Sequence, residues 1–160
     1  MIEVSTLKGR CTCGDVSFEL CAAPMFVHCC HCSWCQRQTG SAFAINALIE
    51  AGNVVVTAGE PKSATVPSPS GKGQKITRCP GCGTALWSTY AGMGDAVAFV
   101  RVGALEDPAL CPPDIHIFTA SKLPWVELPV GVPVCEGYYR MSEQWPEESI
   151  RRFKAAREAT

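Results

Sequence analysis

The stretch CPGCG, residues 79–83, pairs two cysteines on a tight turn that ends in glycine, and CTCG, residues 11–14, is a second turn of the same kind. Glycine lets the backbone bend back sharply at such turns. Two short cysteine pairs are the usual source of four thiolates in a tetrahedral metal site, and a closed site of this type is structural. We therefore predict one metal ion that clamps the two turns together, bound by Cys11, Cys13, Cys79 and Cys82. Zinc is the expected metal, and iron in a rubredoxin-like site is the alternative that spacing leaves open.

A second cysteine cluster lies in HCCHCSWCQRQTG, residues 28–40. In an extended segment Cys30 and Cys32 point to one face, and a turn further on can return Cys35 to that face. Three protein ligands with one open position are typical of a catalytic zinc site. We predict that these three cysteines bind a second zinc ion and are the catalytic residues.

The other candidate ligands near this cluster are interpreted differently. Cys29 and His31 point to the opposite face of the extended segment, so we predict that neither coordinates the second metal. The alternative is that His28, His31 or the distant His116 closes the site and makes it structural. His116 lies in an apolar strand-like stretch, which favours a packed or hydrogen-bonded strand histidine over a ligand.

The composition limits the class of protein. The chain has 160 residues, 14 basic and 15 acidic side chains, and no long basic run before the C-terminal region, so no nucleic-acid partner is expected. No apolar run approaches the ~18 residues of a membrane span, and the start lacks the apolar core of an export signal. A cytoplasmic protein is therefore expected. Its 11 cysteines then indicate metal binding rather than disulfides, with isolated Cys21, Cys111 and Cys135 expected to be small buried hydrophobes.

Short apolar segments separated by glycine and proline predict an all-β domain. The helix expected at the C-terminal end begins near Pro146, with acidic residues in its first turn and basic residues later, as the helix dipole favours. The predicted strands are residues 3–10, 15–20, 41–49, 53–59, 62–66, 74–78, 84–90, 96–105 and 114–120, and the predicted helix is 146–159.

The motifs occur in an order that resembles the glutathione-dependent formaldehyde-activating enzyme family, also called the GFA or centromere-protein-V family. The resemblance spans roughly residues 8–127 and depends on an ordered set of cysteine motifs. These are CTCGDVSFE from residue 11, CHCSWCQRQTGSAF from 30, CPGCGTALW from 79, VGALEDP from 102 and HIFTASKLPWV from 116.

The resemblance implies a mainly β, Mss4-like (β-tent) fold of antiparallel sheets with zinc knuckles, followed here by the short C-terminal helix. We expect residues 1–140 to form the GFA-like zinc-binding domain and residues 141–160 its C-terminal helical tail. The family also implies two zinc ions per chain. The structural ion would be on Cys11, Cys13, Cys79 and Cys82, and the catalytic ion on Cys30, Cys32 and Cys35.

The implied activity is that of a carbon–sulfur lyase, an S-(hydroxymethyl)glutathione synthase-like enzyme that joins glutathione to formaldehyde. Zinc held by three thiolates is a poorer Lewis acid than zinc held by neutral histidines, so hydroxide formation and hydrolysis are disfavoured. A soft thiol substrate suits such a site better, because it binds as the reactive thiolate. The alternative from another class is a non-catalytic zinc-binding scaffold or protein-interaction module.

Overall fold

A computed structural model describes residues 6–160, over which it has ten β-strands and three α-helices. The strands are β1 Leu7–Arg10, β2 Ser17–Leu20, β3 Phe26–Cys30, β4 Ala44–Glu50, β5 Val54–Ala58, β6 Lys62–Val66, β7 Gln74–Arg78, β8 Ala85–Tyr90, β9 Gly94–Arg101 and β10 Ile115–Ile117. The helices are α1 Ser33–Thr39, α2 Met141–Gln144 and α3 Glu147–Glu158. Short 3₁₀ turns are Ala51–Asn53, Val102–Ala104, Pro108–Leu110 and Thr119–Ser121.

The strands form two sheets. The smaller sheet has the order β1-β2-β5, and the larger has the order β10-β3-β4-β9-β8-β7-β6. The pairs between named strands are antiparallel except for β10 with β3, which is parallel. The predicted mainly β fold with antiparallel sheets and a C-terminal helix is therefore confirmed. The parallel pair makes the larger sheet mixed, which the sequence did not predict.

The larger sheet is the middle of three layers. One of its faces packs against the smaller sheet, where Phe18 and Leu20 of β2 meet Ala47 of β4 and Val100 of β9. The opposite face is covered by the C-terminal segment, including Phe153 of α3. Because β3, β4 and β9 lie in the centre of this sheet, they are buried on both faces and are apolar for most of their length.

The strand β6 is less apolar than the central strands because it lies at the edge of the larger sheet. Its residues are largely exposed, and it begins with Lys62, a charged residue that disfavours pairing with another chain. The strands predicted over 62–66 and 74–78 are both present, and β6 pairs with β7 as an antiparallel hairpin. The 3₁₀ turn Ala51–Asn53 connects β4 to β5.

Two predicted elements end differently in the structure. The strand expected over 114–120 is limited to Ile115–Ile117, because Phe118 adopts a left-handed conformation with φ of 53° and leads into a 3₁₀ turn. Residues 3–5 of the first predicted strand lie outside the described residues, and β1 begins at Leu7.

The predicted C-terminal helix is α3, which follows Pro146 and has Glu147 and Glu148 in its first turn and Arg157 in its last. This charge order complements the helix dipole. None of the helices within residues 6–160 combines the length and apolarity that crossing a bilayer requires.

One ion pair fastens α3 to the central sheet. Arg152 donates from Nε to Glu50 Oε1 at 2.7 Å and from Nη2 to Glu50 Oε2 at 2.6 Å, and both side chains are largely shielded from solvent. Arg152 Nη2 also donates to the carbonyl of Ala23 at 2.9 Å. Burial acts to raise the pKa of Glu50, but the Arg152 hydrogen bonds outweigh it, and the pKa is lowered overall.

Replacing Arg152 with Ala should lower the free energy of unfolding by about 1–3 kcal/mol, because a shielded carboxylate loses its charge-assisted hydrogen bonds. Urea unfolding at pH 7 measures the change. The control is Arg151→Ala, whose pair with Glu147 is exposed and should contribute less than ~0.5 kcal/mol.

The ion pair between Arg152 and Glu50 also predicts how the free energy of unfolding depends on pH. A carboxyl whose folded pKa is lowered stabilises the fold above its unfolded pKa, and this contribution is lost as pH falls through the folded value. The difference between wild type and Arg152→Ala should therefore be largest above about pH 5 and should narrow as pH falls below about 4. A difference that stayed constant down to pH 3 would contradict this account of Glu50.

Candidate metal centres and active site

The first candidate centre joins the two cysteine turns. Cys11 and Cys13 follow β1 of the smaller sheet, and Cys79 and Cys82 follow β7 of the larger sheet. Their four sulfurs lie within 4.8 Å of one another, with Cys11 Sγ 3.5 Å from Cys13 Sγ and Cys13 Sγ 3.7 Å from Cys79 Sγ. Ligands at a Zn–S distance of ~2.3 Å in a tetrahedron lie about 3.8 Å apart, whereas disulfide sulfurs are bonded at ~2.05 Å. The four thiols therefore fit the donor set of a tetrahedral metal ion.

The two turns have the same local geometry. Gly14 and Gly83, which directly follow the second cysteine of each turn, have φ of 86° and 78°. Their amides donate to the carbonyl oxygens of Cys11 and Cys79, at 3.2 and 2.8 Å. Because residues with a Cβ rarely adopt this conformation, glycine is what allows each turn to close behind its cysteines.

Thr84 connects the two turns at this centre. Its hydroxyl oxygen accepts from the amide of Thr12 at 3.2 Å and lies 3.0 Å from Cys82 Sγ. Hydrogen bonding from Thr84 is the largest cause that lowers the pKa of Cys82, to about 5. The lowered pKa favours the thiolate form of Cys82, which is the form that binds a metal.

The second candidate centre is formed by Cys30, Cys32 and Cys35, whose sulfurs lie within 4.8 Å of one another. Cys30 is the last residue of β3, Cys32 is the N-cap of α1, and Cys35 lies one turn into that helix. Cys30 and Cys35 are buried, whereas Cys32 is half-buried. The structure thus brings together the three cysteines predicted for one site, with one of them reachable from outside.

Helix α1 was not predicted, and it is the element that returns Cys35 to the cluster. The amide of Cys35 donates to Cys32 Sγ at 3.3 Å, which caps the start of the helix. Gly40 ends the helix in a left-handed conformation with φ of 65°, and its amide donates to the carbonyl of Gln36 at 2.8 Å. The capping thiol and the C-terminal glycine were the available sequence signals, since seven residues are too few for a clear apolar period.

The thiols of this cluster have unequal acidities. Contacts with the thiols of Cys30 and then Cys35 lower the pKa of Cys32 to about 2, and the amides at the start of α1 contribute in the same direction. The contact with Cys32 is the largest cause that raises the pKa of Cys30. These contacts favour the thiolate form of Cys32, the least buried member of the cluster.

None of the histidines weighed as ligands of this cluster belongs to the group of three converging thiols. Cys29, His31 and His116 form a separate group, which strand alternation places on the opposite side of β3 from Cys30. His28 is buried, and its Nδ1 lies 3.4 Å from the hydroxyl oxygen of Tyr139. Burial, and secondarily the charge of Arg101, lowers the pKa of His28 to about 3, so this ring is neutral.

Arg101 is a residue of this region that the sequence motifs did not identify. It ends β9, is 7% exposed, and donates from Nη1 to Asn46 Oδ1 at 2.6 Å. Its Nε has no hydrogen-bond partner within residues 6–160. Its charge acts on the pKa of Cys35, which places it near the three-cysteine cluster. The available signal was a single charge in the apolar stretch AVAFVRV, because a buried arginine is almost always paired with another group.

A groove of about 1080 Å³ lies beside the four-cysteine centre, and Cys11 and Thr84 are part of its lining. The lining also includes Thr39 and Ala44, the latter paired with Cys30 across the sheet. The charged side chains of its lining are three arginines against one glutamate: Arg10, Arg78, Arg101 and Glu106. Although the chain has a net charge of -1, this groove is positive.

The isolated cysteines differ among themselves. Cys111 is buried and Cys135 is half-buried, broadly as expected for small hydrophobes. Cys21 is exposed, so the expectation that it packs in the core is wrong. It follows β2 directly, where the chain turns at the surface and its amide donates to the carbonyl of Asn53 at 2.9 Å.

The fold and these centres define a class of protein, a mainly β chain with cysteine clusters that could hold metal ions as zinc knuckles. Residues 6–121 match the family described as glutathione-dependent formaldehyde-activating enzyme. The chain belongs to this family, as the ordered motifs indicated, and the family name associates it with glutathione-dependent formaldehyde activation or a related activity.

Among solved structures, the chain is similar to the crystal structure of a Rhodobacter sphaeroides protein that was a Northeast Structural Genomics target. The two sequences are 23% identical, and the match covers 62% of this chain and 87% of that chain with a TM-score of 0.46.

Replacing Cys82 with Ser should release the metal of the four-cysteine centre and abolish cooperative unfolding, because the free energy of metal binding at such a site is folding free energy. Metal content by mass spectrometry and thermal unfolding by circular dichroism measure both effects. The matched control is Cys21→Ser, an exposed cysteine outside every cluster, which should change neither. A stable Cys82→Ser protein that kept all of its metal would contradict the structural role.

Proposed function

We propose that this protein is a zinc-dependent carbon–sulfur lyase acting on thiol–aldehyde adducts, with glutathione and formaldehyde as substrates in the manner of S-(hydroxymethyl)glutathione synthase. The structural zinc would be held by Cys11, Cys13, Cys79 and Cys82, and the catalytic zinc by Cys30, Cys32 and Cys35. The observation that carries this proposal is the convergence of three thiols, one of them half-buried, together with an arginine-lined groove whose lining includes Ala44, the strand partner of Cys30. A cytoplasmic location is part of the same proposal.

The surroundings of the three-cysteine cluster favour thiol chemistry. Cys30 and Cys35 belong to the apolar cluster that also contains Phe26 and Phe99, so their sulfurs lie away from bulk water. Zinc held by three thiolates would supply a soft Lewis acid at which an incoming thiol is held as the thiolate. Cys32, as the half-buried member, marks the side from which a substrate thiol would approach.

The positive groove supports an anionic thiol as the substrate. Glutathione is a tripeptide with carboxylates at both ends, and guanidinium groups bind carboxylates through paired hydrogen bonds. Arg10 is exposed at the rim of the groove, and Arg78 is held there by hydrogen bonds from Nη1 to the carbonyl of Gly83 and from Nη2 to Gln38 Oε1. We propose that these two side chains bind the carboxylates of glutathione.

Arg101 would have a different role, because it is buried next to the cysteines rather than at the rim. Three thiolates and one divalent cation have a net charge of -1, which is costly to bury without a counter-charge. The hydrogen bond from Arg101 to Asn46 fixes the guanidinium at the inner end of the groove. Arg101 would then stabilise the anionic cluster.

The proposed reaction balances without a redox partner. The substrate thiol loses its proton, its sulfur forms a bond to the carbon of formaldehyde, and the carbonyl oxygen takes up a proton to become a hydroxymethyl group. The reverse reaction breaks the same carbon–sulfur bond and returns the thiol and the aldehyde. The residues of the site therefore need to bind the thiol, orient it and restrict water, which are the properties described above.

Replacing Cys32 with Ser should abolish the formation of S-(hydroxymethyl)glutathione above the uncatalysed rate and remove one zinc ion, while the fold persists. The fold should persist because the sheets and the four-cysteine centre are unchanged. Proton NMR of the hydroxymethyl product measures the rate, and mass spectrometry measures the zinc content. Cys21→Ser is the control and should keep both properties.

The alternative, a non-catalytic zinc-binding scaffold, predicts that the wild-type protein does not accelerate the condensation of glutathione with formaldehyde. A zinc-loaded protein that does not accelerate the condensation, and whose cobalt-substituted form shows no spectral change with any small thiol, would overturn the enzyme proposal. A folded, fully active Cys32→Ser protein would overturn the assignment of the site.

Replacing Arg10 with Ala should raise KM for glutathione about fivefold with a smaller effect on kcat, since one rim contact of roughly 1 kcal/mol is lost. The effect should diminish at high salt, because an exposed ion pair is screened. The control is Lys8→Ala, which removes the same charge from the same strand outside the groove. Equal effects of the two substitutions would refute a specific role for Arg10.

A further inference from the structure

A third group of potential ligands lies on the side of β3 that faces away from the three-cysteine cluster. It consists of Cys29, His31 and His116, which are 1%, 0% and 7% exposed. Cys29 and His116 are directly opposite each other in the parallel pair of β3 and β10. His31 follows the end of β3, and its amide continues the ladder by donating to the carbonyl of Ile117 at 3.0 Å. Two adjacent strands therefore direct all three side chains to one buried point.

The distances between these side chains are those of ligands around a common centre. His31 Nε2 lies 2.9 Å from His116 Nδ1 and 3.6 Å from Cys29 Sγ, and the three atoms lie within 4.8 Å of one another. In a tetrahedral zinc site two nitrogen ligands lie about 3.3 Å apart, and a nitrogen and a sulfur about 3.6 Å apart. A separation of the two rings by a few tenths of an ångström would complete this geometry.

A proton relay does not explain the same arrangement. In a relay the histidine receives a proton at one ring nitrogen and is oriented through the other. Here the single atom His31 Nε2 faces both Cys29 and His116. Such convergence on one nitrogen atom is expected where the three side chains are ligands of one metal ion.

Hydrogen bonding between the two rings also leaves a deficit. His31 Nδ1 and His116 Nε2 are buried and have no hydrogen-bond partner within residues 6–160. A neutral imidazole carries one N–H donor and one acceptor nitrogen, so one hydrogen bond between the rings leaves a donor and an acceptor without partners. Unpaired buried polar atoms cost more than one neutral hydrogen bond returns. Coordination through His31 Nε2 and His116 Nδ1 would leave His31 Nδ1 and His116 Nε2 as the N–H groups of the two rings, so it is the bonds to the metal ion, and not new hydrogen bonds, that would outweigh this cost.

We propose that Cys29, His31 and His116 form a third metal site, which takes a borderline-soft divalent cation such as zinc. One thiolate and two neutral imidazoles suit this class of ion, and binding would release the proton of the Cys29 thiol. The site would fasten the three-residue strand β10 to β3 directly behind Cys30. This proposal replaces the sequence-based interpretation of His116 as a packed or hydrogen-bonded strand histidine, and it does not depend on the proposed enzymatic activity.

The composition of the chain makes the test specific, because it contains only three histidines. Wild-type protein is loaded with Zn²⁺, freed of excess metal, and measured by mass spectrometry and zinc X-ray absorption. The expected result is three zinc ions per chain and the outer-shell scattering that imidazole ligands give. The two cysteine centres alone would give two zinc ions and no imidazole signal.

Matched substitutions then show which histidine side chains give the imidazole scattering. His116→Gln should lose one zinc ion and the imidazole scattering, whereas His28→Gln, which changes the histidine outside this group, should keep both. Cys29→Ser should lose the same ion, whereas Cys111→Ser, at a buried cysteine outside every cluster, should not.

Two results would overturn the proposal. The first is two zinc ions with sulfur-only scattering in the wild-type protein, which needs no variant to fold and leaves the two cysteine centres as proposed. The second is loss of the imidazole signal in His28→Gln with its retention in His116→Gln, which would place the histidine ligand at the three-cysteine centre.

Discussion

Burial of β3 on both of its faces is the constraint on which the candidate centres depend. All five residues of this strand are buried. A strand in such a position is usually a run of aliphatic residues, but here it ends in His28, Cys29 and Cys30. Side-chain alternation sends Cys30 to one face and Cys29 to the other, so one strand supplies potential ligands to two separate groups. Buried imidazoles and thiols need polar partners, and Cys29 and Cys30 each lie within a group of such side chains.

The four-cysteine centre adds a second constraint, because it connects the two sheets. Cys11 belongs to a turn of the smaller sheet and Cys79 to a turn of the larger one, and both are part of the apolar core between the sheets. A metal ion bound there would hold this layer together at one end, while apolar packing holds it along its length. The groove begins at the same junction, so the geometry of the proposed substrate site follows from how the sheets are joined.

The sequence predicted most strands and the C-terminal helix, because alternating or apolar runs bounded by glycine and proline are local signals. It also predicted that Cys30 and Cys32 share a face, since the chain is still extended at Cys32. It missed α1, which is short and defined by its caps. It missed the parallel β10, because pairing between residues 115–117 and 28–30 is a long-range property without a local signal.

The groove and its positive charge also could not be predicted from the sequence, because they depend on contacts between distant parts of the chain. Arg10, Arg78 and Arg101 are separated by up to 91 positions in the sequence, and only the fold brings them to one surface. Near-neutral net charge then conceals a local excess of positive charge. A cluster with three thiolates is anionic and attracts no anionic substrate by itself, so arginines between it and solvent would offset that repulsion. In this protein the thiols would select the reacting atom, and the arginines would allow a negatively charged thiol to reach it.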